Sequence, residues 1–317
     1  MGREPRLWDD ANVPDIPIPP LHLMQRVALR PADLPEMEKE FVLGGQVRHD
    51  AICSALPDDW SFAGKSVLDF GCGPGRALRW FRAEAEECSF QACDIDAESI
   101  DWVSRNIGPP FQFFVNEEVP PLPLLDGSLD LIYSTSVFTH LTDTWGDWLA
   151  ELHRLLRPDG LLFMTFLGCD NFGPRYLPES WSEDQVGLTM VAINLDARGG
   201  SAVLLSEWWI RAHLQRGFEI VHMQTEGWGK LPDRNLRGQG MLLLRRKDCS
   251  LTAEEWLAPD PGERREWISA QFNLQLLRHE ILRMRAEHEG SLHQRPVGPR
   301  PLPTRIRSKL SRVVHPQ

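Results

Sequence analysis

The sequence predicts an α/β fold in which helices cover both faces of a mostly parallel, doubly wound sheet. Two observations lead to this fold class. Short apolar runs alternate with helical patterns from residue 66 to residue 166, and parallel strands need crossover connections that are usually helical. With 317 residues, of which 42% are hydrophobic and 25% charged, the chain can bury a large core and has the composition of a globular protein.

Residues 1–36 are predicted to form a proline-rich, extended arm. The first 35 residues hold seven of the 25 prolines, too many for regular secondary structure. Its apolar part, residues 16–27, is expected to pack rather than float free. Folding over a bound ligand as a lid, through Leu21, Met24 and Arg26, and simple surface packing are the two alternatives.

The main domain, residues 37–247, is predicted to begin with an amphipathic helix over 37–56, interrupted by Gly44 and Gly45. Strands are then predicted at 66–70, 89–94, 111–115, 129–134 and 161–166. Helices are predicted between them at 75–86, 97–106 and 145–156. An irregular stretch from 168 to 205 follows.

The end of this domain is predicted to differ in topology. A helix at 207–215 precedes strands at 218–224 and 239–245. Because no helix separates these two strands, they are predicted to form an antiparallel hairpin at an edge of the sheet.

Residues 248–290 are predicted to be a helical extension, and residues 291–317 a basic, disordered tail with six basic residues and no acid. A helix over 264–285 carries one apolar stripe, because two sets of residues recur every seven positions. These sets are Trp267, Leu274 and Ile281, and Ala270, Leu277 and Met284. Packing on its own domain is the preferred interpretation, since the repeat is shorter than three heptads, and homodimerisation is the alternative.

Charge and cysteine content exclude several functions. The net charge of −11 argues against nucleic acid as a partner. The sequence has no apolar run long enough for a membrane span and its start lacks the pattern of a secretory signal, so a cytoplasmic location is expected. The six cysteines form no CxxC pair and no Cys/His cluster of zinc spacing, which predicts reduced thiols and no structural metal.

A glycine-rich loop is the most informative segment. In VLDFGCGPG, residues 67–75, a buried strand ends at Asp69, and Gly71, Gly73 and Gly75 turn the chain into a helix. Glycine lets a ligand approach the backbone, and a helix start offers unpaired amide donors. Taken alone, the triplet is better explained as a sharp turn.

An acid downstream changes that interpretation. Asp94 ends the next strand, 23 residues after Gly71, where a carboxylate can accept hydrogen bonds from ribose hydroxyls. The pair predicts a nucleoside-type cofactor. A nicotinamide dinucleotide is disfavoured because its fingerprint is GxGxxG, whereas the spacing here is GxGxG.

Four segments in order resemble the motifs of class I S-adenosylmethionine-dependent methyltransferases, of the small-molecule type 11/12 group. They are VLDFGCGPG, ACDID, DGSLDLIYSTSVFTHL and LAELHRLLRPDGLLFMTF, within residues 60 to 167. Weaker similarity, in GFEIVHMQTEGWG and QGMLLLRR, extends to Arg245. The resemblance implies a seven-stranded sheet whose last strand is antiparallel, with S-adenosylmethionine bound over the carboxyl ends of the first four strands.

The resemblance also implies roles for individual residues. Gly71, Cys72 and Gly73 would lie under the methionine part of the donor, and Asp69 would help to position its amino group. Asp94 would bind the ribose, Ile95 would pack on the adenine, and Ser134 would lie near the methionine end. Asn116 stands where the family usually has an acid facing the adenine amino group; its amide oxygen can still accept from that amine, and a turn asparagine is the alternative.

Methyl transfer from a sulfonium is a direct displacement, so alignment and exclusion of water matter most. If the acceptor is a hydroxyl, a base near the methyl group is useful, and His140 in SVFTHL is the candidate. A histidine that only fixes the following turn is the alternative. The family's [DN]PP[YF] mark of nucleobase methylation is absent after the fourth strand, and no set of Asp and Asn residues resembles a magnesium site.

The later half of the chain is expected to bind the acceptor through an apolar, flat-sided pocket. Its candidate residues are Tyr176, Trp181, Trp208 and Trp228, although about half of the twelve tryptophans are expected to be packing residues. The sequence thus predicts methyl transfer, without metal, to a small-molecule hydroxyl such as that of a sugar or secondary metabolite. A non-catalytic donor-binding scaffold that recruits a partner through its C-terminal helix and tail is the alternative.

Overall fold

The computed structural model describes residues 14–27, 34–168, 177–178, 180–191, 201–228 and 238–293. The described chain divides at residue 273 into two compact units. The first contains a seven-stranded sheet in the order β3-β2-β1-β4-β5-β9-β8 and a separate two-stranded sheet, β6-β7. The strands are β1 (Ser66–Phe70), β2 (Ser89–Asp94), β3 (Gln112–Val115), β4 (Leu129–Ser134), β5 (Leu156–Phe166), β6 (Leu188–Val191), β7 (Ala202–Leu205), β8 (Phe218–Trp228) and β9 (Gln239–Arg246).

Neighbouring strands from β3 to β5 are all parallel, and β9 is antiparallel to both β5 and β8. The predicted fold class, with an antiparallel hairpin at one edge, is confirmed. The helices are α1 (Leu21–Val27), α2 (Leu34–Ala55), α3 (Arg82–Ala85), α4 (Ala97–Asn106), α5 (Trp145–Leu155), α6 (Glu207–Leu214), α7 (Ala253–Leu257) and α8 (Arg265–His293).

Alternate residues of the central strands enter two separate apolar clusters, as expected when both faces of a sheet are covered. Leu68 of β1 and Ile132 of β4 join one cluster, which contains the buried tryptophans of α5 and α6. Val67 and Leu131 join the other, with apolar residues of α2 and α4. The carboxyl ends of the parallel strands therefore remain available for ligands.

Helix α2 is continuous, so the predicted interruption at Gly44 and Gly45 is wrong. A Cβ atom at Gly45 would lie 2.0 Å from the carbonyl oxygen of Arg76. The glycine permits close contact between α2 and the segment after the glycine-rich loop, at a cost of about 1 kcal/mol in helix propensity.

The helix predicted at 75–86 is also wrong at its start. A 3-10 turn, Leu78–Phe81, precedes the four-residue helix α3. Gly75 has a φ of +78°, which a right-handed helix does not accommodate. The buried guanidinium of Arg79 in this turn donates hydrogen bonds to the carbonyl oxygens of Ile16 and Pro17 at 3.2 and 2.5 Å.

The arm is not extended throughout. Helix α1 begins directly after Pro19 and Pro20, since proline is tolerated before and within the first turn of a helix. Leu23 and Met24 of α1 are buried. The expectation that residues 16–27 pack is confirmed.

The stretch from 168 to 205, predicted to be irregular, contains the antiparallel strands β6 and β7. The amide of Val203 donates to the carbonyl oxygen of Thr139 at 2.8 Å, and that of Leu205 donates to Leu167 at 3.0 Å. This small sheet is therefore fixed beside the carboxyl ends of β4 and β5.

The start of the apolar stripe of α8, Trp267 and Ala270, belongs to the first unit and is exposed there, contrary to the preferred expectation for these two residues. Trp267 is 70% exposed, and Leu274, Leu277, Ile281 and Met284 are exposed as well. The predicted disordered tail lies outside the described residues from residue 294 onward. Among the helices of the described chain, none has the length and apolar character needed to cross a membrane.

Candidate functional site

The glycine-rich loop lies at the carboxyl end of β1, in the middle of the sheet. Gly71 and Gly73 have φ values of +84° and +51°, a region that L residues with side chains rarely adopt. A Cβ atom at Gly71 would lie 2.2 Å from Cγ2 of Val137. The loop after β4 therefore contacts the glycine-rich loop directly.

Asp94 closes this loop from the neighbouring strand. Its Oδ2 accepts a hydrogen bond from the Gly73 amide at 2.7 Å, and its Oδ1 accepts one from the Asp96 amide at 2.8 Å. Burial raises the pKa of Asp94 above its usual value although both amides act against that shift. Each carboxylate oxygen keeps a second lone pair for a ligand hydroxyl.

Asp69 and Tyr133 form a buried pair beneath the loop. They are neighbours in the register of β1 and β4, and the Tyr133 hydroxyl donates to Oδ2 of Asp69 at 2.8 Å. Burial raises the pKa of Asp69 to about 8, even though the Tyr133 hydrogen bond lowers it. This carboxyl group is therefore largely protonated at neutral pH until a cation approaches it.

Two buried polar atoms at the strand ends have no hydrogen-bond partner among the described residues: Oδ1 of Asn116 and Oγ of Ser134. The Asn116 amide nitrogen is already used, since Nδ2 donates to the Glu117 carbonyl oxygen at 2.8 Å. An unmade buried hydrogen bond costs about 1–3 kcal/mol, so both atoms are suited to accept from a ligand. Ile95, which directly follows β2, is 58% exposed.

Cys72 lies buried in the loop, and its Sγ is 3.5 Å from the carbonyl oxygen of Gly73. Burial raises the pKa of this thiol well above its usual range. A thiol that stays protonated is a poor nucleophile. Cys72 therefore contributes shape to the loop and no covalent chemistry.

Helix α1 lies against the glycine-rich loop. A Cβ atom at Gly73 would be 3.2 Å from Cγ1 of Val27, and Nη1 of Arg76 donates to the Val27 carbonyl oxygen at 2.7 Å. Arg26 pairs with both Asp96 and Glu98 at the start of α4. The arm thus contacts the loop and the residues just after Asp94.

His140 is exposed in the loop after β4. Its Nδ1 is 3.3 Å from the carbonyl oxygen of Ser201. If Nδ1 carries the proton that donates to this carbonyl, the neutral ring presents Nε2 as a proton acceptor. The contact also links the loop after β4 to the residue just before β7. It is therefore equally consistent with the alternative that His140 only fixes the turn.

The structure describes the predicted acceptor residues only in part. Trp208 is buried, and the Arg265 guanidinium lies 5.1 Å from the centre of its ring, which favours the packing alternative for this tryptophan. Trp181 is half-buried, and Trp228 ends β8, paired with Gln239. Tyr176 lies outside the described residues.

Two residues of the site were missed in the sequence. Tyr133 is one of only two tyrosines, and a tyrosine inside a buried strand needs a partner for its hydroxyl; that was the available signal. Ser136 has a φ of 64°, its amide donates to Oγ1 of Thr165 at 2.8 Å, and its Oγ is 3.0 Å from Oε1 of Gln239. No sequence pattern indicates this conformation.

A group of potential metal ligands lies elsewhere. His49 and Cys53 of α2 and Glu84 of α3 place one ligand atom each within 4.8 Å of one another. Burial lowers the pKa of His49, but hydrogen bonds with Cys53, Glu84 and Asp50 outweigh it and raise this pKa to about 10. The ring already contacts the Glu84 carboxylate at 3.0 Å and Sγ of Cys53 at 3.6 Å, so these three groups pair with one another.

Taken together, the residues at the strand ends fit an amino-acid-bearing nucleoside. The glycine-rich loop offers backbone groups, Asp94 and Asn116 offer acceptors at the ends of successive strands, and Asp69 places a buried carboxyl group just before the loop.

The sequence profile of the methyltransferase domain family matches residues 68–164, which contain this loop, strands β2 to β4 and most of β1 and β5. A malonyl-[acyl-carrier protein] O-methyltransferase of Enterobacter lignolyticus is 33% identical over 122 residues, 38% of this chain and 45% of that protein. A fatty-acid O-methyltransferase of Mycolicibacterium smegmatis is 26% identical over 118 residues, covering 37% and 41%. The chain spans less than half the length of these relatives.

Among solved structures, an S-adenosylmethionine-dependent methyltransferase from Mesorhizobium loti aligns with a TM-score of 0.50 at 18% identity, covering 63% of this chain and 98% of that one. One from Listeria monocytogenes aligns with the same TM-score at 15% identity, covering 65% and 99%. At these identities the likeness concerns the fold.

Proposed function

We propose that this protein, whose residues 68–164 match the methyltransferase domain family, binds S-adenosylmethionine and transfers its methyl group to an oxygen atom of a small molecule. The observation that carries the proposal is the arrangement at the ends of β1 to β3. There the glycine-rich loop, the Asp94 carboxylate and Oδ1 of Asn116 occur at the ends of three adjacent strands, and this Oδ1 has no hydrogen-bond partner in the part of the chain that the structure describes.

Each of these residues has one proposed task. Gly71, Cys72 and Gly73 hold the amino-acid part of the donor, and Asp69 balances the charge of its ammonium group. Asp94 accepts from the ribose hydroxyls, Ile95 covers one face of the adenine, and Asn116 accepts from its amino group. Ser134 lies at the methionine end. When bound, the donor supplies an electrophilic methyl group on a sulfonium, and the chain's residues align the acceptor and exclude water.

An oxygen acceptor is supported by two relatives whose names describe O-methyltransferases. A hydroxyl must lose its proton during transfer, and His140 is the proposed base because its contact with the Ser201 carbonyl leaves Nε2 for that proton. The half-buried Trp181, together with Tyr176 and Trp228, remains proposed for the acceptor side. Trp208 is proposed only to pack behind the acceptor-binding residues, because its ring is buried.

Helix α1 is proposed to act as a lid over the donor, since Val27 contacts the loop at Gly73 and Arg26 bridges to the residues after Asp94. The reaction is proposed to need no metal ion. A cytoplasmic location belongs to the proposal, because Cys53, Cys72, Cys88, Cys93 and Cys249 are all free thiols, as is usual in a reducing compartment.

The proposal is tested in two steps. Calorimetry should detect binding of S-adenosylhomocysteine and none of NAD, and a panel of hydroxyl and carboxyl acceptors with methyl-tritiated donor should then reveal transfer that persists with a chelator present. Binding of NAD in place of S-adenosylhomocysteine would contradict the donor assignment. Donor binding without transfer to any acceptor would instead support the scaffold alternative.

His140 is tested separately. His140→Ala should lower turnover of a hydroxyl acceptor by about 100-fold, the usual contribution of a general base, with unchanged affinity for S-adenosylhomocysteine. Unchanged turnover between about pH 6 and pH 9 would assign this histidine to the turn alone.

A further inference from the structure

Six apolar residues of α8 lie on one exposed helical face. We call this the heptad face, and it consists of Trp267, Ala270, Leu274, Leu277, Ile281 and Met284. The spacing alternates between three and four residues, which is the a and d pattern of a coiled coil. The five large side chains are between 41% and 70% exposed.

The heptad face is distinct from the face that α8 turns toward its own domain. There, Phe272 and Ser269 are buried, and Nδ2 of Asn273 donates to the Leu188 carbonyl oxygen at 3.0 Å. The first turns of α8 are thus held on the first unit by this side, whereas Trp267 and Ala270, at the start of the heptad face, are exposed. A continuous apolar stripe of this length is unusual on a monomer and marks an interaction site.

The charges that flank the heptad face indicate which partner fits it. On one side, at the e positions, stand Arg278 and Arg285, and on the other, at a g position, stands Glu280. In a parallel pair of identical helices, g of one chain faces the following e of the other, so Glu280 meets Arg285 twice. An antiparallel pair would instead bring like charges together on each side.

From this complementarity we infer that α8 pairs with α8 of a second copy of this chain as a parallel, two-stranded coiled coil. The inference goes beyond the proposed methyl transfer and does not depend on it. Burial of the heptad face supplies the affinity. The flanking charges set the orientation more than the strength, because Glu280 already pairs with Arg283 on its own helix.

The inference is tested by the molar mass of the full chain, measured by light scattering across a dilution series. We expect twice the 36.2 kDa of one chain. Ile281→Glu should raise the dissociation constant of the dimer at least about tenfold, because it places two charges in the seam. The matched control is Ala286→Glu, which adds the same charge on the opposite side of the helix and should leave the mass unchanged.

Orientation is tested by exchanging charges. Glu280→Arg and Arg285→Glu should each weaken the dimer about two- to fivefold, and the double exchange should restore it. In an antiparallel pair the single exchanges would not weaken association, so that result would overturn the orientation. A wild-type chain that is monomeric throughout, or a dimer that Ile281→Glu does not weaken while circular dichroism is unchanged, would overturn the inference itself.

Discussion

At the scale of single residues, the proposed donor site depends on polar atoms that are buried with no hydrogen-bond partner among the described residues. Oδ1 of Asn116 and Oγ of Ser134 are two such atoms, and Asp69 is a buried carboxyl group whose single described side-chain partner is a neutral hydroxyl. Buried polar groups of this kind destabilise the fold slightly. They are retained where a ligand completes their hydrogen bonds.

The amide of Asn116 provides the first prediction. Asn116→Ala should weaken binding of S-adenosylhomocysteine about tenfold, the worth of one buried hydrogen bond. Asn116→Asp should stay within about threefold of wild type, because a carboxylate also accepts from an adenine amine. Titration calorimetry measures both.

The control is Asn106→Ala, whose amide donates only to the Trp102 carbonyl oxygen of its own helix. If Asn116→Ala binds as tightly as this control, Asn116 is a turn residue and the adenine lies elsewhere.

The second prediction concerns Asp69. Its pKa in the folded protein, about 8, lies above the ordinary 3.8, so the free protein holds a proton that an approaching ammonium group should expel. Affinity for S-adenosylhomocysteine should therefore increase as pH rises toward 8, by up to about tenfold per pH unit, and then level off. Calorimetry in two buffers of different ionisation enthalpy should detect the released proton.

In Asp69→Asn this pH dependence should disappear, because an amide has no proton to exchange in this range. A wild-type affinity that is flat from about pH 6 to pH 8 would show that Asp69 does not face the ammonium group.

At the scale of elements, apolar periodicity located most strands and helices, and local glycine patterns were misread. Helix α4 and strand β4 have the predicted limits because their runs are bounded by clear turn residues. The pattern predicts a break at Gly45, but this glycine lets α2 approach the Arg76 backbone closely. The sequence around Gly45 does not show this contact, because the contact depends on a segment about thirty residues away. The strands at 188–205 were missed although the run Ala202–Leu205 is wholly apolar.

The site also combines residues that follow local sequence patterns with residues whose contacts join distant segments. Asp94 is proposed from local patterns, namely its position at a strand end and its distance from the glycine-rich loop, whereas a role for Asp69 comes from the family resemblance alone. Tyr133 as the partner of Asp69 depends on the pairing of β1 with β4. Arg26 was proposed for a lid, but its bridge to Asp96 and Glu98 links residues seventy positions apart, which a single sequence does not specify.

Helix α1 provides the third prediction. Arg26→Ala should weaken binding of S-adenosylhomocysteine about fivefold, mainly through faster dissociation, because it releases α1 from Asp96 and Glu98 without altering the loop. Stopped-flow fluorescence, using the tryptophans, measures the rate. The matched control is Arg105→Ala, which removes an exposed ion pair with Asp101 on α4.

Equal dissociation rates in the two variants would assign α1 to surface packing. Circular dichroism should show that both variants keep their helical content.

At the scale of the whole molecule, two titrating groups reduce stability toward alkaline pH. His49 has a folded pKa of about 10, above its ordinary 6.5, so its stabilising contribution is complete below pH 6.5 and is lost as pH rises through 10. Burial of Asp69 favours its protonated form in the folded state, so its contribution to the free energy of unfolding also falls as pH rises from 3.8 to about 8. The protein should therefore be most stable on the acidic side of neutrality.

The fourth prediction follows from His49. His49→Gln should lower the free energy of unfolding by about 1–2 kcal/mol near pH 6, where the ring is a hydrogen-bonded cation that is partly exposed to solvent. Near pH 10 the wild-type ring loses its charge, so the substitution should lower the free energy of unfolding by little. Denaturant unfolding at both pH values measures the difference. His222→Gln, on the edge strand β8, is the control, and an equal loss at both pH values would contradict the charge-based account.

The position of β9 between β5 and β8 has a consequence for synthesis on the ribosome. The strand that completes the sheet is the last to be translated, ending at Arg246. Until that residue has left the exit tunnel, one side of β5 offers unpaired amides and carbonyls to any passing strand. The edge of β5 therefore stays open to non-native strand pairing while residues 167–246 are added, about a quarter of the 317 residues of the chain.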